Sequence, residues 1–259
     1  MIASINKHLR QMAISLLGFG FDPRKLLSLK HYSRFRRDRA EWLRQGGEIT
    51  KGYRILTDYS DSAGTAGGHY FHQDLLVAQL INEHCPVRHV DIASRVDGFV
   101  AHVASYREIE VVDLRPLPES VHVNIKFLQA DLMDQQDLGL TDSLSCLHAI
   151  EHFGLGRYSD PVDVDGHIKG IANLVDLVSS KGRLYISVPI GRQNKVYFNA
   201  HRVFHPSTIL NHDSIKKYMQ LVRFDFVDDR GDLHLKASVD EVMPDIEFGC
   251  GIYTFEKVN

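Results

Sequence analysis

The residues best equipped for chemistry are His148, Glu151 and His152, in the run HAIEH. A histidine within hydrogen-bond reach of a hydroxyl can take its proton, and a neighbouring carboxylate can orient the ring. The same five residues fit the H-x-x-E-H pattern of zinc hydrolases, where one helical face presents both imidazoles to a metal. Gly154 and Gly156 follow at once and would break such a helix after about one turn, so acid–base work is the preferred reading. Two polar segments accompany the run. GLGRYSDP contributes Arg157, able to grip a carboxylate or phosphate bidentately, and Tyr158, able to stack on a sugar face. FNAHRVFHP contributes Asn199, His201 and Arg202 between two phenylalanines. These five residues are assigned to the acceptor substrate. Of the 15 histidines, only those at strand ends carry this weight.

Such groups must be held by a frame. RHVDIAS, EIEVVDLRP, NIKFLQADL, SLSCLHAI and GRLYISVPIG read as five strands. Between them lie helical stretches at 69–83, GFVAHVASY and 166–180, the last with apolar residues spaced by three and four. Strands alternating with helices imply an α/β fold with a parallel sheet and right-handed crossovers. LVRFDFVDDRGDLH and CGIYTFEKV alternate without a long helix between them, and predict an antiparallel pair at the sheet edge.

Ligands of such sheets sit beyond the carboxyl ends of the strands. The first strand ends at Asp91, with Ser94 and Gly98 in the loop after it. Asp113 closes the second strand, 22 residues after Asp91, where a carboxylate suits the two hydroxyls of a ribose. Asp131 closes the third and can accept from an adenine amino group. Taken singly, each aspartate also reads as a helix cap or turn residue. As an ordered set with βαβ spacing, they read as a nucleotide site.

The order VDIAS…GF, EVVDLRP, QADL, LHAIEH, GRLYISVP resembles the class I S-adenosylmethionine (SAM)-dependent methyltransferases, over roughly residues 69–258. HYFHQDLLVA, SLSCLHAIEHFGLGRYSDP and SVPIG…FNAHRVF are more closely similar to domain-of-unknown-function family 268, a methyltransferase-like branch associated with bacterial surface-polysaccharide genes. The resemblance implies a Rossmann-like methyltransferase fold, with a seven-stranded, mostly parallel sheet, an antiparallel last strand and N-terminal helices. It implies SAM as cofactor, held by Asp91, Ser94, Gly98, Asp113, Leu114, Asp131, Leu132, His148, Tyr70 and His72. The helix opened by His69, Tyr70, His72 and Asp74 would offer its N-terminus to the SAM carboxylate. The implied activity is O-methylation of a sugar or glycan precursor, free or lipid-linked. One departure stands out: the usual DxGxGxG loop has Ala93, Arg95 and Asp97 at its glycine places. This motivates a rival reading, a non-methylating Rossmann-like partner in glycan assembly, whose cofactor space Arg95 or Val96 would fill.

The bulk properties narrow the classes further. Net charge is −3, which speaks against a nucleic-acid binder. The charge is uneven, +6 over residues 1–50 against −9 over the rest. A basic helical extension over 1–57 and a catalytic domain over 58–259 are therefore expected, with the basic part either solvated or resting on a membrane surface. The helical patterns at 4–18 and 23–45 belong to this extension, and the Gly/Ser/Asp-rich loop 58–68 reads as mobile or ligand-facing. Three scattered cysteines give neither a disulfide framework nor a zinc ribbon, so no metal is expected. The N-terminus makes a poor signal peptide and no run approaches the ~18 apolar residues of a membrane span, so a cytoplasmic protein, at most peripheral to the inner face of the membrane, is expected.

Overall fold

The computed structural model describes residues 23–134, 138–240 and 246–258, and the helical pattern at 4–18 lies outside them. The chain forms two compact units, Met1–Thr65 and Ala66–Asn259.

In the first unit, a 3-10 stretch Pro23–His31 leads into α1 (Tyr32–Arg44). The single helix expected over 23–45 is therefore split. Ser28 Oγ donates to the Lys25 carbonyl at 2.7 Å, a local bond that competes with the α-helical ladder. No residue of α1 is buried. Leu26, Leu27, Leu29, Trp42 and Leu43 are all exposed.

The second unit is built on an eight-stranded sheet. Its elements run α2 (His69–His84), β1 (His89–Ile92), α3 (Ala101–Ala104, entered through a π-type turn Val96–Val100), β2 (Ile109–Asp113), β3 (Ile125–Gln129) and β4 (Thr141–Leu147). They continue with α4 (Gly166–Leu177), β5 (Val178–Ile190), β6 (Lys195–Tyr197), β7 (His201–Val203), α5 (Pro206–Leu210), α6 (Asp213–Tyr218), β8 (Met219–Val227), β9 (Leu233–His234) and β10 (Gly249–Lys257). The strand order is β3-β2-β1-β4-β5-β10-β8-β9, with β6 and β7 forming a separate ribbon. Strands β1 to β5 pair in parallel, while β10 runs antiparallel to both β5 and β8. The Rossmann-like arrangement is thus as expected, with the short β9 as an eighth strand.

Period-two alternation divides the core between the two faces of the sheet. Val90, Ile92, Val112, Leu144 and Ile186 join Ile171, Leu174 and Val175 of α4 in one cluster. Ile109, Val111, Tyr185 and Ile252 join Leu76, Val77, Leu80 and Ile81 of α2, with Phe99, Val100 and Val103, in the other. The final two long strands are not a simple edge pair. The first seven residues of β10 are all buried, so β10 takes an interior place and leaves β8 and β9 outside it. The chain leaves β1 towards β2 and β3 on one side and returns to β4 and β5 on the other. The carboxyl end of β1 is therefore the switch point at which such sheets open a crevice. No helix among the described residues is long and apolar enough to cross a membrane.

Candidate active site

A cavity of about 790 Å³ opens at that switch point, in the size range of small-molecule sites. Its floor begins with the loop after β1. Asp91 accepts the Ser94 amide at 3.0 Å, the Ser94 hydroxyl at 2.8 Å and the Ser145 hydroxyl at 2.5 Å. These bonds fold the loop back over the strand end. Burial pushes the Asp91 carboxyl up to about 7, against the pull of its hydroxyl donors. Asp91 is fully buried and does not line the cavity, so it shapes the loop after β1 from beneath rather than facing a ligand.

Ala93 takes φ +62°, the left-handed conformation that a glycine would supply at this place. Arg95 turns outwards and grips Asp97 bidentately at 2.9 and 2.7 Å, its side chain 69% exposed. The two charged residues at glycine places thus pair with each other on the rim. Val96 packs against the core cluster of α2 and does not line the cavity. Gly98 eases a close approach, since a Cβ there would lie 3.0 Å from Asp74 Oδ2. The cavity beside Asp113 is open.

Asp113, at the end of β2, lines the cavity, as do Leu114, Asp131 and Leu132. Asp113 is already engaged: the Arg115 backbone amide donates to Oδ1 at 2.8 Å, and the Arg115 guanidinium bonds both oxygens at 2.5–3.2 Å. Arg115 also stands 4.8 Å from the Tyr158 ring centre, with Arg157 at 5.1 Å from the same ring. Asp131 Oδ1 accepts the Met133 amide at 2.9 Å. At the N-terminus of α2, Gly68 provides no side-chain cap, which leaves helix amides available to an anion.

The opposite wall carries the histidines. His148 follows β4 with φ +49°, and its amide donates to the Ser187 carbonyl at 3.0 Å. Its Nδ1 bonds Glu151 Oε1 at 2.8 Å. Burial opposes a charge on His148, but Cys250 and Glu151 beside it outweigh burial and hold its pKa well above the ordinary value. His148 Nε2 and Glu151 Oε2 are buried without hydrogen-bond partners. His69 stacks on His148 at 5.5 Å, and Tyr70 lies 5.1 Å from the same ring. His152 Nδ1 bonds the Ala200 carbonyl at 2.8 Å. A carbonyl only accepts, so Nδ1 carries the proton and Nε2 is the ring's basic atom. Nε2 lies 3.8 Å from Glu151 Oε1. Burial lowers the His152 pKa, with Glu151 pulling the other way, so the ring is neutral at neutral pH.

Ile150–His152 is a single 3-10 turn. The helical H-x-x-E-H metal face is therefore absent, because His148 spends Nδ1 on Glu151 and His152 spends Nδ1 on Ala200. The loop after it closes around Asp160, which accepts the amides of Gly154, Gly156 and Tyr158 at 2.9–3.1 Å. Gly154 has φ +75°, and a Cβ there would strike the Asp163 carbonyl at 2.0 Å. Arg157 donates to the Ala200 carbonyl at 2.7 Å rather than to Asp160.

The cavity therefore gathers Tyr70, Ser94, Gly98, Asp113, Leu114, Asp131, Leu132, His148, Glu151, His152, Arg157, Tyr158 and His201. It does not gather Asp91, His72, Asn199 or Arg202. Arg202 is buried and donates to the carbonyls of Glu151 (3.3 Å) and Phe153 (2.6 Å), so it fixes the histidine turn from behind. Asn199 is exposed at the end of the β6–β7 ribbon. Sequence reasoning misses Gln73, Arg115 and Cys250. Gln73 accepts the Ser187 hydroxyl at 2.5 Å and was hidden within an apolar helix pattern. Arg115 was visible in the LRP turn after β2. Cys250 had no local signal, since only the antiparallel course of β10 brings it here.

A family described as "Caenorhabditis protein of unknown function, DUF268" matches residues 129–234. No curated protein matches the chain. Among solved structures, the Burkholderia thailandensis 1,6-didemethyltoxoflavin-N1-methyltransferase, crystallised with S-adenosylhomocysteine, is similar at 14% identity and TM-score 0.50. That likeness covers 89% of this chain and 90% of the other. The O-methyltransferase of a Brevibacillus brevis trans-AT polyketide synthase is similar at 8% identity and TM-score 0.50, over 72% of each chain. The [4+2]-cyclase SpnF is similar at 14% identity and TM-score 0.50, over 83% of this chain and 90% of the other. At these identities the likeness defines the fold, a Rossmann-like methyltransferase fold.

Proposed function

We propose that the protein is a SAM-dependent methyltransferase that O-methylates a sugar or glycan precursor. The observation that carries this reading is one open cavity with nucleotide-type carboxylates, Asp113 and Asp131, at one end and a neutral, buried-side base, His152, at the other. SAM supplies an electrophilic methyl group on a sulfonium. Asp113 would take the ribose hydroxyls, Asp131 the adenine amine, and Leu114 and Leu132 the faces of the adenosine. The uncapped start of α2 would take the carboxylate. His152 Nε2 accepts the acceptor's proton, while Ala200 keeps its ring in the required tautomer. Arg157 and Tyr158 line the same side and suit an acceptor with a sugar face and an anionic group. The bacterial surface-polysaccharide setting is part of this reading and rests on the sequence resemblance.

The direct test is transfer of radiolabel from methyl-labelled SAM to sugar nucleotides and glycan precursors. Label in an alkali-stable ether of the sugar supports the reading. Full retention of label by SAM across oxygen acceptors would sink the sugar assignment.

The rival is a binding protein on the same fold that transfers no methyl group. The Arg115 guanidinium seated on Asp113 favours it, because a ribose must share or displace that contact. The outward turn of Arg95 and the open cavity weigh against it. SpnF, a cyclase by description, illustrates that fold alone does not choose between chemistries.

The exposed leucines, Trp42 and the arginines of residues 23–45 suit an anionic membrane surface. Co-sedimentation with phosphatidylserine vesicles, lost at high salt, is the expected result; equal sedimentation with neutral vesicles would contradict it.

A further inference from the structure

Three side chains that the proposed methyl transfer does not use meet beside the cavity: His69 and His148 line it, and Cys250 is buried next to them. His69, His148 and Cys250 place one donor atom each within 4.8 Å of the others. They come from the start of α2, the end of β4 and the start of β10. Because β10 runs antiparallel, its first residues lie beside the last residues of β5, with Cys250 opposite Pro189, at the carboxyl edge of the sheet.

Each ring has one nitrogen committed or flanked and one to spare. Glu151 fixes Nδ1 of His148, which leaves Nε2 buried in a side chain only 6% exposed and without a partner. A carboxylate behind a histidine, with the far nitrogen presented inwards, is the arrangement by which metal-ligating imidazoles are oriented. The Phe248 backbone stands behind His69 in the same way. The His69 ring stacks on His148 with centroids 5.5 Å apart, which brings the two imidazoles to one point of the wall. Cys250 is fully buried; its sulfur lies 3.8 Å from Gln73 Oε1 and 3.9 Å from the Gly251 carbonyl, and it also faces His148.

We propose that His69, His148 and Cys250 bind a zinc-class divalent transition metal whose fourth position opens into the cavity and takes the oxygen of the acceptor. The donor set decides the ion: two imidazoles and a thiolate suit zinc and its neighbours, whereas magnesium and calcium prefer oxygen. Tetrahedral zinc with bonds of about 2.0–2.3 Å needs donors roughly 3.5 Å apart, so a contraction of about 1 Å closes the site. His69 and His148 both line the cavity, which makes the open position face the acceptor side. Loading exchanges the thiol proton of Cys250, and any proton on His148 Nε2, for the ion and releases them to solvent, with no electron moved. An oxygen bound there is held beside His152, which takes its proton. The acceptor role rests on the methyl-transfer reading; the metal site does not.

The test is cobalt and zinc loading of the untagged full chain. One metal per chain, with a thiolate-to-cobalt charge-transfer band, is expected. Cys250→Ser abolishes the band, and Glu151→Gln weakens metal binding by about 10–100-fold through the outer contact. His69→Ala, at a half-exposed position, weakens loading in a chain whose fold circular dichroism can check. Chain that binds S-adenosylhomocysteine yet takes up no metal overturns the site and leaves the methyl-transfer reading standing. Metal uptake without S-adenosylhomocysteine binding does the reverse. Unchanged loading in both Cys250→Ser and His69→Ala would also overturn the site.

Discussion

The two ends of the cavity are built on different principles. At the β1–β3 end, polar groups are satisfied: Asp91 has three donors, Arg95 has Asp97, and Asp113 has Arg115. At the β4–β5 end, buried polar atoms are left over. His148 Nε2 and Glu151 Oε2 have no hydrogen-bond partner. Unsatisfied buried groups cost stability. The first end therefore reads as a pre-formed binding frame, and the second as the place where stability is given up for reactivity.

If that division holds, the largest effect falls at the reactive end. His152→Ala is expected to lower kcat by about 10²–10⁴-fold while leaving S-adenosylhomocysteine affinity unchanged. The wild-type rate should rise through a pKa below the ordinary histidine value of 6.5 and be flat by neutrality. An equal loss of cofactor affinity in the variant would blur the two ends.

The next effect belongs to the frame. Asp91 in the unfolded chain titrates near 3.9 and in the fold near 7. Between these values the folded state keeps a proton that the unfolded chain has lost. Its contribution to stability is thus complete below about pH 4 and falls as pH rises to about 7, by on the order of 4 kcal/mol. Urea midpoints followed over that window should decline in wild type and flatten in Asp91→Asn. A matching slope in both would contradict the burial argument.

Asp113→Ala is expected to weaken S-adenosylhomocysteine binding by about 10–100-fold, the worth of a charge-assisted hydrogen bond near 1.5–3 kcal/mol, with the fold retained. Calorimetry measures it, and unchanged affinity would remove Asp113 from the nucleotide end. The smallest effect is Ala93→Gly. Relief of the +62° φ should stabilise the chain by about 1 kcal/mol, read as a raised Tm; a lowered Tm would mean that Ala93 is not strained.

What the sequence disclosed follows the same division. The frame is local: strand periodicity and the Asp91, Asp113 and Asp131 spacing are written along consecutive residues, so the Rossmann-like order was legible. What Asp91 does was not, because its role depends on Ser145 from β4. Arg95 reads as an obstruction in one dimension and, in three, pairs with Asp97 on the rim. The reactive end is assembled from distant segments. His148, Glu151 and His152 were visible as a run, but Ala200 and Arg202, which set their orientation, lie about fifty residues on. Cys250 comes beside His69 and His148 only because β10 inserts between β5 and β8.

Titration calorimetry of the wild-type chain with S-adenosylhomocysteine tests the central claim most directly. The account predicts saturable binding of one nucleotide per chain. No heat of binding from either S-adenosylhomocysteine or SAM, in protein shown to be folded, would contradict it.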